Sequence, residues 1–182
     1  MLKFERNYLA FFAVVTIFAG LTYAAVQQSF RQGANDPQIQ MAEDTAKSLS
    51  QGHSFQSILK SDKIDIASSL SPYIVIFNSN GEPIASSGFL DGQMPKVPLG
   101  VFDYVRMHEE DRVTWEPKPG VRSAAVVRSY TDDSPGFVLV GRSLREVEER
   151  VDMLFKMVAI AWLMTIFSVT FILLAKKPRK FH

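Results

Sequence analysis

The chain has 182 residues, no cysteine, and 20 Lys/Arg against 19 Asp/Glu. That length holds about one domain with accessories, and so even a charge leaves no electrostatic footprint for nucleic acid. Without cysteine there is no disulfide framework, no Cys-ligated metal and no thiol nucleophile.

The charge is nevertheless unevenly spread. Residues 30–152 carry 13 Lys/Arg and 18 Asp/Glu, a balance of −5, so the middle is acidic and the ends are basic. Residues 1–7, with Lys3 and Arg6, are expected to be a cytoplasmic N-terminus. Residues 8–26, "YLAFFAVVTIFAGLTYAAV", are 19 residues without a charge. As a helix they span about 28 Å, close to the hydrocarbon thickness of a bilayer. The run is longer than the apolar core of a signal peptide, and Thr22–Ala24 make a poor cleavage site. An uncleaved first transmembrane helix is predicted.

Residues 27–152 are predicted to be an extracytoplasmic domain. It opens with a helix interrupted near residues 33–37: Asp36 is a candidate N-cap and Pro37 suits the first helical position. Ile39, Ala42, Ala46 and Leu49 then recur at spacings of 3, 4 and 3, one apolar helical face. A shorter helical pattern follows in "SFQSILKSDKIDIASSL", with Phe55, Ile58 and Leu59 as its contacts. "YIVIFNSNGEPIASS" reads as a hairpin around Asn-Gly, "GFLDGQMPKVPLG" as a loop and "VFDYVRMHEE" as a short helix. Three more strands, "RVTWEP", "VRSAAVVRSYT" and "GFVLVGRSL", are joined by Pro-Gly turns at "KPG" and "DDSPG". Trp115 shares its strand face with Val113 and reads as core. The tally is an α+β domain, a five-stranded antiparallel sheet with N-terminal helices.

The last strand leads into a helix. Ser143 and Glu146 have the spacing of a capping box. Leu144, Val147, Val151, Leu154, Val158 and Ala161 make a seam with spacings of 3 and 4. That seam predicts a homodimer or, equally, packing on the first helix of the same chain. The helix becomes a second transmembrane segment over residues 153–175, whose charge-free run starts at Met157. Lys156 can snorkel to the outer interface. Residues 176–182 follow as a basic cytoplasmic tail with Lys176, Lys177, Arg179 and Lys180, so both termini are expected in the cytoplasm of a two-pass plasma-membrane protein.

The stretches "QGANDPQIQMAEDTAKSL", "KIDIASSLSPYIVIFNSNGEPIASS" and "VGRSLREVEERVDML" carry a resemblance that covers roughly residues 1–175. With the two flanking spans, they resemble the extracytoplasmic Cache or PAS-like sensor modules of bacterial two-component sensor histidine kinases. The resemblance implies a signal-input module for a small molecule or envelope condition. Residues 176–182 are too few for the linker, phospho-accepting helix and ATP-binding domain of those kinases, so no kinase activity is expected. Output would pass sideways through the spans to a membrane-bound kinase or other signalling protein. A non-sensing envelope scaffold and a truncated sensor kinase are the alternatives.

No P-loop, dinucleotide fingerprint or nucleophile elbow is present, and no catalytic residue, metal or cofactor is expected. In "HEED" only His108 and Asp111 have a helical ligand spacing, and a solvated helix end accounts for them. Strand alternation puts Arg122, Ala124, Val126, Arg128 and Tyr130 on one face. Two guanidiniums flanking small residues, with Tyr104 and Arg106 closing over them, form a candidate pocket for a small carboxylate, as in anion-binding Cache-type domains. The competing reading is a solvated face whose arginines balance the acidic surface. Expected partners are thus the bilayer, a second copy, a signalling protein and a small carboxylate, and no nucleic acid.

Overall fold

The computed structural model describes residues 2–34, 36–59, 63–131 and 134–175, the first five of them without side chains. The Asp132–Asp133 turn, the basic tail at 176–182 and the Lys3 and Arg6 side chains lie outside this description. Two compact units emerge, Arg31–Glu148 and the pair of segments Met1–Phe30 and Glu149–His182. In chain order the elements are α1 (Leu2–Gly33), α2 (Asp36–Ser50), α3 (Phe55–Ile58), β1 (Ile64–Asp65), β2 (Tyr73–Asn78), β3 (Pro83–Ser86), β4 (Gly88–Phe89), α4 (Leu99–His108), β5 (Glu110–Lys118), β6 (Val121–Tyr130), β7 (Gly136–Ser143) and α5 (Arg145–Ala175).

In the Arg31–Glu148 unit the expected five strands form one antiparallel sheet in the order β3-β2-β7-β6-β5. The first hairpin and the last strand are therefore neighbours, and the connection from β3 to β5 must cross from one edge to the other. Period-2 alternation gives each face its own core. On one face Ala42, Ala46 and Leu49 of α2, the apolar positions expected from their spacing, bury Ile76, Val126, Tyr130, Val138 and Val140. On the other, Phe102 and Val105 of α4 bury Val75, Phe77, Ala125, Val127, Phe137 and Leu139 together with Trp115. Phe102 lies 5.0 Å from Phe77 and 4.9 Å from Phe137, ring centre to ring centre. Full burial of a side chain that size stabilises the fold by about 2–3 kcal/mol.

The turn of the β2–β3 hairpin is built against α4. Asn78 closes it by accepting the Asn80 and Glu82 amides on Oδ1. Gly81 has φ +79°, and a Cβ there would sit 2.7 Å from the Phe102 ring. Only glycine satisfies both conditions.

Two expectations required correction. The second helical pattern closes after one turn, α3, where the Ser54 hydroxyl accepts the Ser57 amide. Its continuation "KIDI" instead enters β1, which pairs in parallel with β4. The segment read as a plain loop also contains a tight hairpin. Leu90 and Gln93 exchange both backbone hydrogen bonds across Asp91 (φ 50°) and Gly92 (φ 78°). Both central residues are left-handed, the turn that Asp-Gly favours.

In the other unit α1 and α5 are each long and apolar enough to cross a membrane, with mean hydropathies of 2.2 and 2.4 over their most apolar stretches. They pack antiparallel. The Tyr23 and Phe155 rings meet edge-on at 5.7 Å, Trp162 Nε1 donates to Thr16 Oγ1 at 3.0 Å, and Tyr8 and Thr170 share a hydrogen bond of 2.9 Å. As one number falls from 23 to 8 the other climbs from 155 to 170. The half-buried stripes are Tyr8, Phe11, Val15, Ala19 and Tyr23 on α1 and Val151, Leu154, Val158, Trp162 and Ile166 on α5.

Candidate functional site

The structure does not assemble the five residues of the expected pocket. Arg122, Arg128 and Tyr130 project on the face that α2 covers, whereas Tyr104 and Arg106 belong to α4, on the opposite face. The small residues between the arginines, Ala124 and Val126, are buried. The two guanidiniums also lie six residues apart on one strand, about 20 Å by strand rise, too far for one small carboxylate.

Each arginine meets a partner from the chain itself. Arg128 pairs with Glu110 at 3.0 Å, and Arg112 shares that carboxylate at 2.8 Å. Arg106 pairs with Asp103, donates to the Ser79 carbonyl at 2.7 Å and covers the Phe137 ring, fastening α4 to the β2–β3 turn. Tyr104 is exposed and stacks on His108, whose Nδ1 is 3.0 Å from the Tyr104 carbonyl oxygen. His108 ends α4 and Asp111 lies in β5, so the helical spacing between them does not apply. Among the described residues no three His, Asp or Glu side chains gather as a metal site.

The residue contacts concentrate instead where β7 passes into α5. Arg122 pairs with Glu148 of the first turn of α5, with Glu116 at 3.8 Å on its other side. The Arg122 carbonyl accepts the Leu144 amide at 2.8 Å. Ser143 Oγ accepts the Arg145 amide at 3.3 Å, one residue short of a capping-box bond, and Glu146 reaches Arg142 at 3.5 Å. Arg142 Nε donates to the Leu70 carbonyl at 3.2 Å, and Arg145 Nη2 to the Ser68 carbonyl at 2.9 Å. The first turn of α5 is thus gripped from the sheet and from the loop at 66–72. Each half-exposed pair contributes at most about 1 kcal/mol, but together they hold residues 145–148 to the sheet unit.

Beneath this root Tyr73 of β2 lies across Gly141 of β7, its cross-strand partner, towards Ser123 of β6. The phenol and the Ser123 hydroxyl are buried without a hydrogen bond of ordinary geometry. Burial raises the Tyr73 pKa to about 12, and Ser123 offsets part of the rise.

Beside β1 and β4 an open groove of about 340 Å³ is lined by Lys63, Ile64, Asp65, Ala67, Phe89, Asp91 and Gly92. Lys63 Nζ lies 5.2 Å from the centre of the Phe89 ring, and Lys118 pairs with Asp91 at 3.0 Å. Asp65 accepts the Ala67 amide at 3.0 Å and the Ser68 hydroxyl at 2.9 Å. Ser68 is the residue whose carbonyl Arg145 holds. Strand-face reasoning missed this groove because β1 and β4 have two residues each; the Asp91–Gly92 dipeptide was its one local clue.

Of the seam, Leu144, just before α5, and Val147, in its first turn, are half-buried. Val151, Leu154 and Val158 lie on the stripe that continues to Trp162, and Ala161 is exposed at its flank. Val158, Ala161 and Trp162 line one groove with Val15, Ala19 and Thr22 of α1. This is the same-chain packing alternative for that part of the seam. The sequence matches no protein-family model and no curated protein.

Proposed function

We propose that the chain is a two-span signal-input protein of the plasma membrane, with a PAS- or Cache-like domain outside and both termini in the cytoplasm. What supports the plan is the five-stranded antiparallel sheet, its N-terminal helices, and a last strand that leads into an apolar helix. The observation that carries the sensing role is the chain of contacts from the groove to α5. Asp65 lines the groove and holds Ser68, and Arg145, the first residue of α5, holds the Ser68 carbonyl. A small polar molecule in the groove shifts this loop and, with it, the root of α5. Its volume lies at the lower end of small-molecule sites. The output is a membrane-bound kinase or another signalling protein.

The test is a thermal-unfolding screen of the full chain in membrane discs against small carboxylates, amines and zwitterions. A ligand that raises the midpoint by several degrees, with the rise lost in Asp65→Ala and kept in Arg122→Ala, is the expected result. A rise lost in Arg122→Ala instead returns the site to β6. A flat screen favours the envelope scaffold, the reading supported by strand arginines that already meet acids of their own chain.

Orientation has its own measurement, made simple by the absence of native thiols. Gln93→Cys is expected to react with a membrane-impermeant maleimide in intact cells. Labelling only after lysis reverses the topology.

A further inference from the structure

Polar side chains within an apolar helix have two ways to satisfy their hydrogen bonds. Thr22 and Thr165 use the nearer one and donate to the carbonyls of Phe18 and Ala161 on their own helices. A tyrosine hydroxyl or an indole N–H stands too far from its own backbone for that. Tyr8 and Trp162 are such groups, and each reaches across to a threonine on the other helix, Thr170 and Thr16. Thr170 gives its own proton to the Ile166 carbonyl at 2.7 Å, so Tyr8 is the donor in its pair.

We infer that the Tyr8–Thr170 and Thr16–Trp162 pairs are register pins, which make α1 and α5 move in the bilayer as one body rather than slide along each other. The inference rests on the membrane reading above. A slide of one turn brings Trp162 opposite Phe12 or Gly20 and Tyr8 opposite Ile166 or Leu174. None of these side chains accepts a hydrogen bond, and for Trp162, midway along its span, no water is available in hydrocarbon to replace one. Both bonds are lost together in either direction, so the native register has no polar competitor one turn away. A single buried polar residue selects register in coiled coils by the same logic. Interhelical bonds of this kind contribute about 0.6–2 kcal/mol each.

The experiment uses disulfide crosslinking of the full chain in native membranes, read in the monomer band by counting free thiols. Ala19→Cys with Val158→Cys reports the native register, because both residues line one groove. Ala19→Cys with Leu154→Cys reports a slide of about one turn. In the parent the first pair is expected to close and the second to stay largely open. Tyr8→Phe with Trp162→Phe, which keeps an aromatic side chain at both positions and removes both donors, is expected to raise the ratio of second to first about tenfold. That ratio corresponds to about 1.4 kcal/mol. Thr16→Val with Thr170→Val removes the acceptors instead and is expected to do the same, which covers the case in which the aromatic variant fails to insert. An unchanged ratio in both variants overturns the pins. Release of the parent chain by alkaline carbonate overturns the membrane reading instead, and the crosslinks still report whether the helices pair.

Discussion

Gly141→Ala is expected to destabilise the sheet domain by about 3 kcal/mol, the upper part of the range for overpacking a core. A methyl at this position would lie 2.4 Å from Tyr73 Cζ and 2.5 Å from its hydroxyl oxygen. The Gly88 backbone closes the ring in as well, near enough that a Cβ there would be 2.7 Å from it. Against a total stability of about 5–15 kcal/mol for such a domain, this is a large fraction. Urea unfolding of the parent, Gly141→Ala, Tyr73→Leu and the double variant measures it. The pair is expected to be strongly non-additive, with Tyr73→Leu recovering much of the loss, since removing the ring empties the space that the methyl needs. Strict additivity would place the cost of the alanine elsewhere.

The second expectation concerns alkaline pH. A neutral Tyr73 is favoured in the folded chain, where its pKa is about 12 against 10 when unfolded. Below pH 10 both states are protonated and the contribution is intact. Between pH 10 and 12 the unfolded chain loses its proton first, so stability falls as pH rises, by an amount on the order of 2–3 kcal/mol in full. Tyr73→Phe is expected to stay within about 1 kcal/mol of the parent at pH 8, because the hydroxyl it removes lacks an ordinary hydrogen bond. Above pH 10 the variant should decline less steeply. Thermal unfolding from pH 8 to 11.5 compares the two slopes; parallel slopes would mean that Tyr73 ionises as freely in the native chain as in solvent.

Local pattern made much of the fold legible. The 3, 4, 3 spacing of Ile39, Ala42, Ala46 and Leu49 identified the face of α2 that packs on the sheet. The Asn80–Gly81 turn located the first hairpin, and of the five residues that alternation in β6 put on one face, Val126 and Tyr130 pack under α2. The sidedness of distant elements was not legible. Nothing in "VFDYVRMHEE" says which face of the sheet α4 will cover, and that choice separates Tyr104 and Arg106 from Arg122 and Arg128. The pairing of Arg122 with Glu148 spans 26 positions and leaves no periodic trace. Very short strands such as β1 and β4 carry too few residues for alternation to register, so the groove beside them escaped notice. Gly141 has no side chain to advertise that Tyr73 needs its space.

The grip on the loop at 66–72 bears on how this sequence can change over evolutionary time. Arg142 and Arg145 hold the carbonyls of Leu70 and Ser68, groups that every amino acid supplies. No substitution at 68 or 70 deletes an acceptor, and a carbonyl has no proton to gain or lose across the biological pH range. Selection therefore acts on the two arginines and on the path of the loop, while the side chain at 70 is free to drift and that at 68 is tied by the hydroxyl it donates to Asp65. Related chains should accordingly vary at 70, keep a hydroxyl at 68 and retain a guanidinium at 142 and 145.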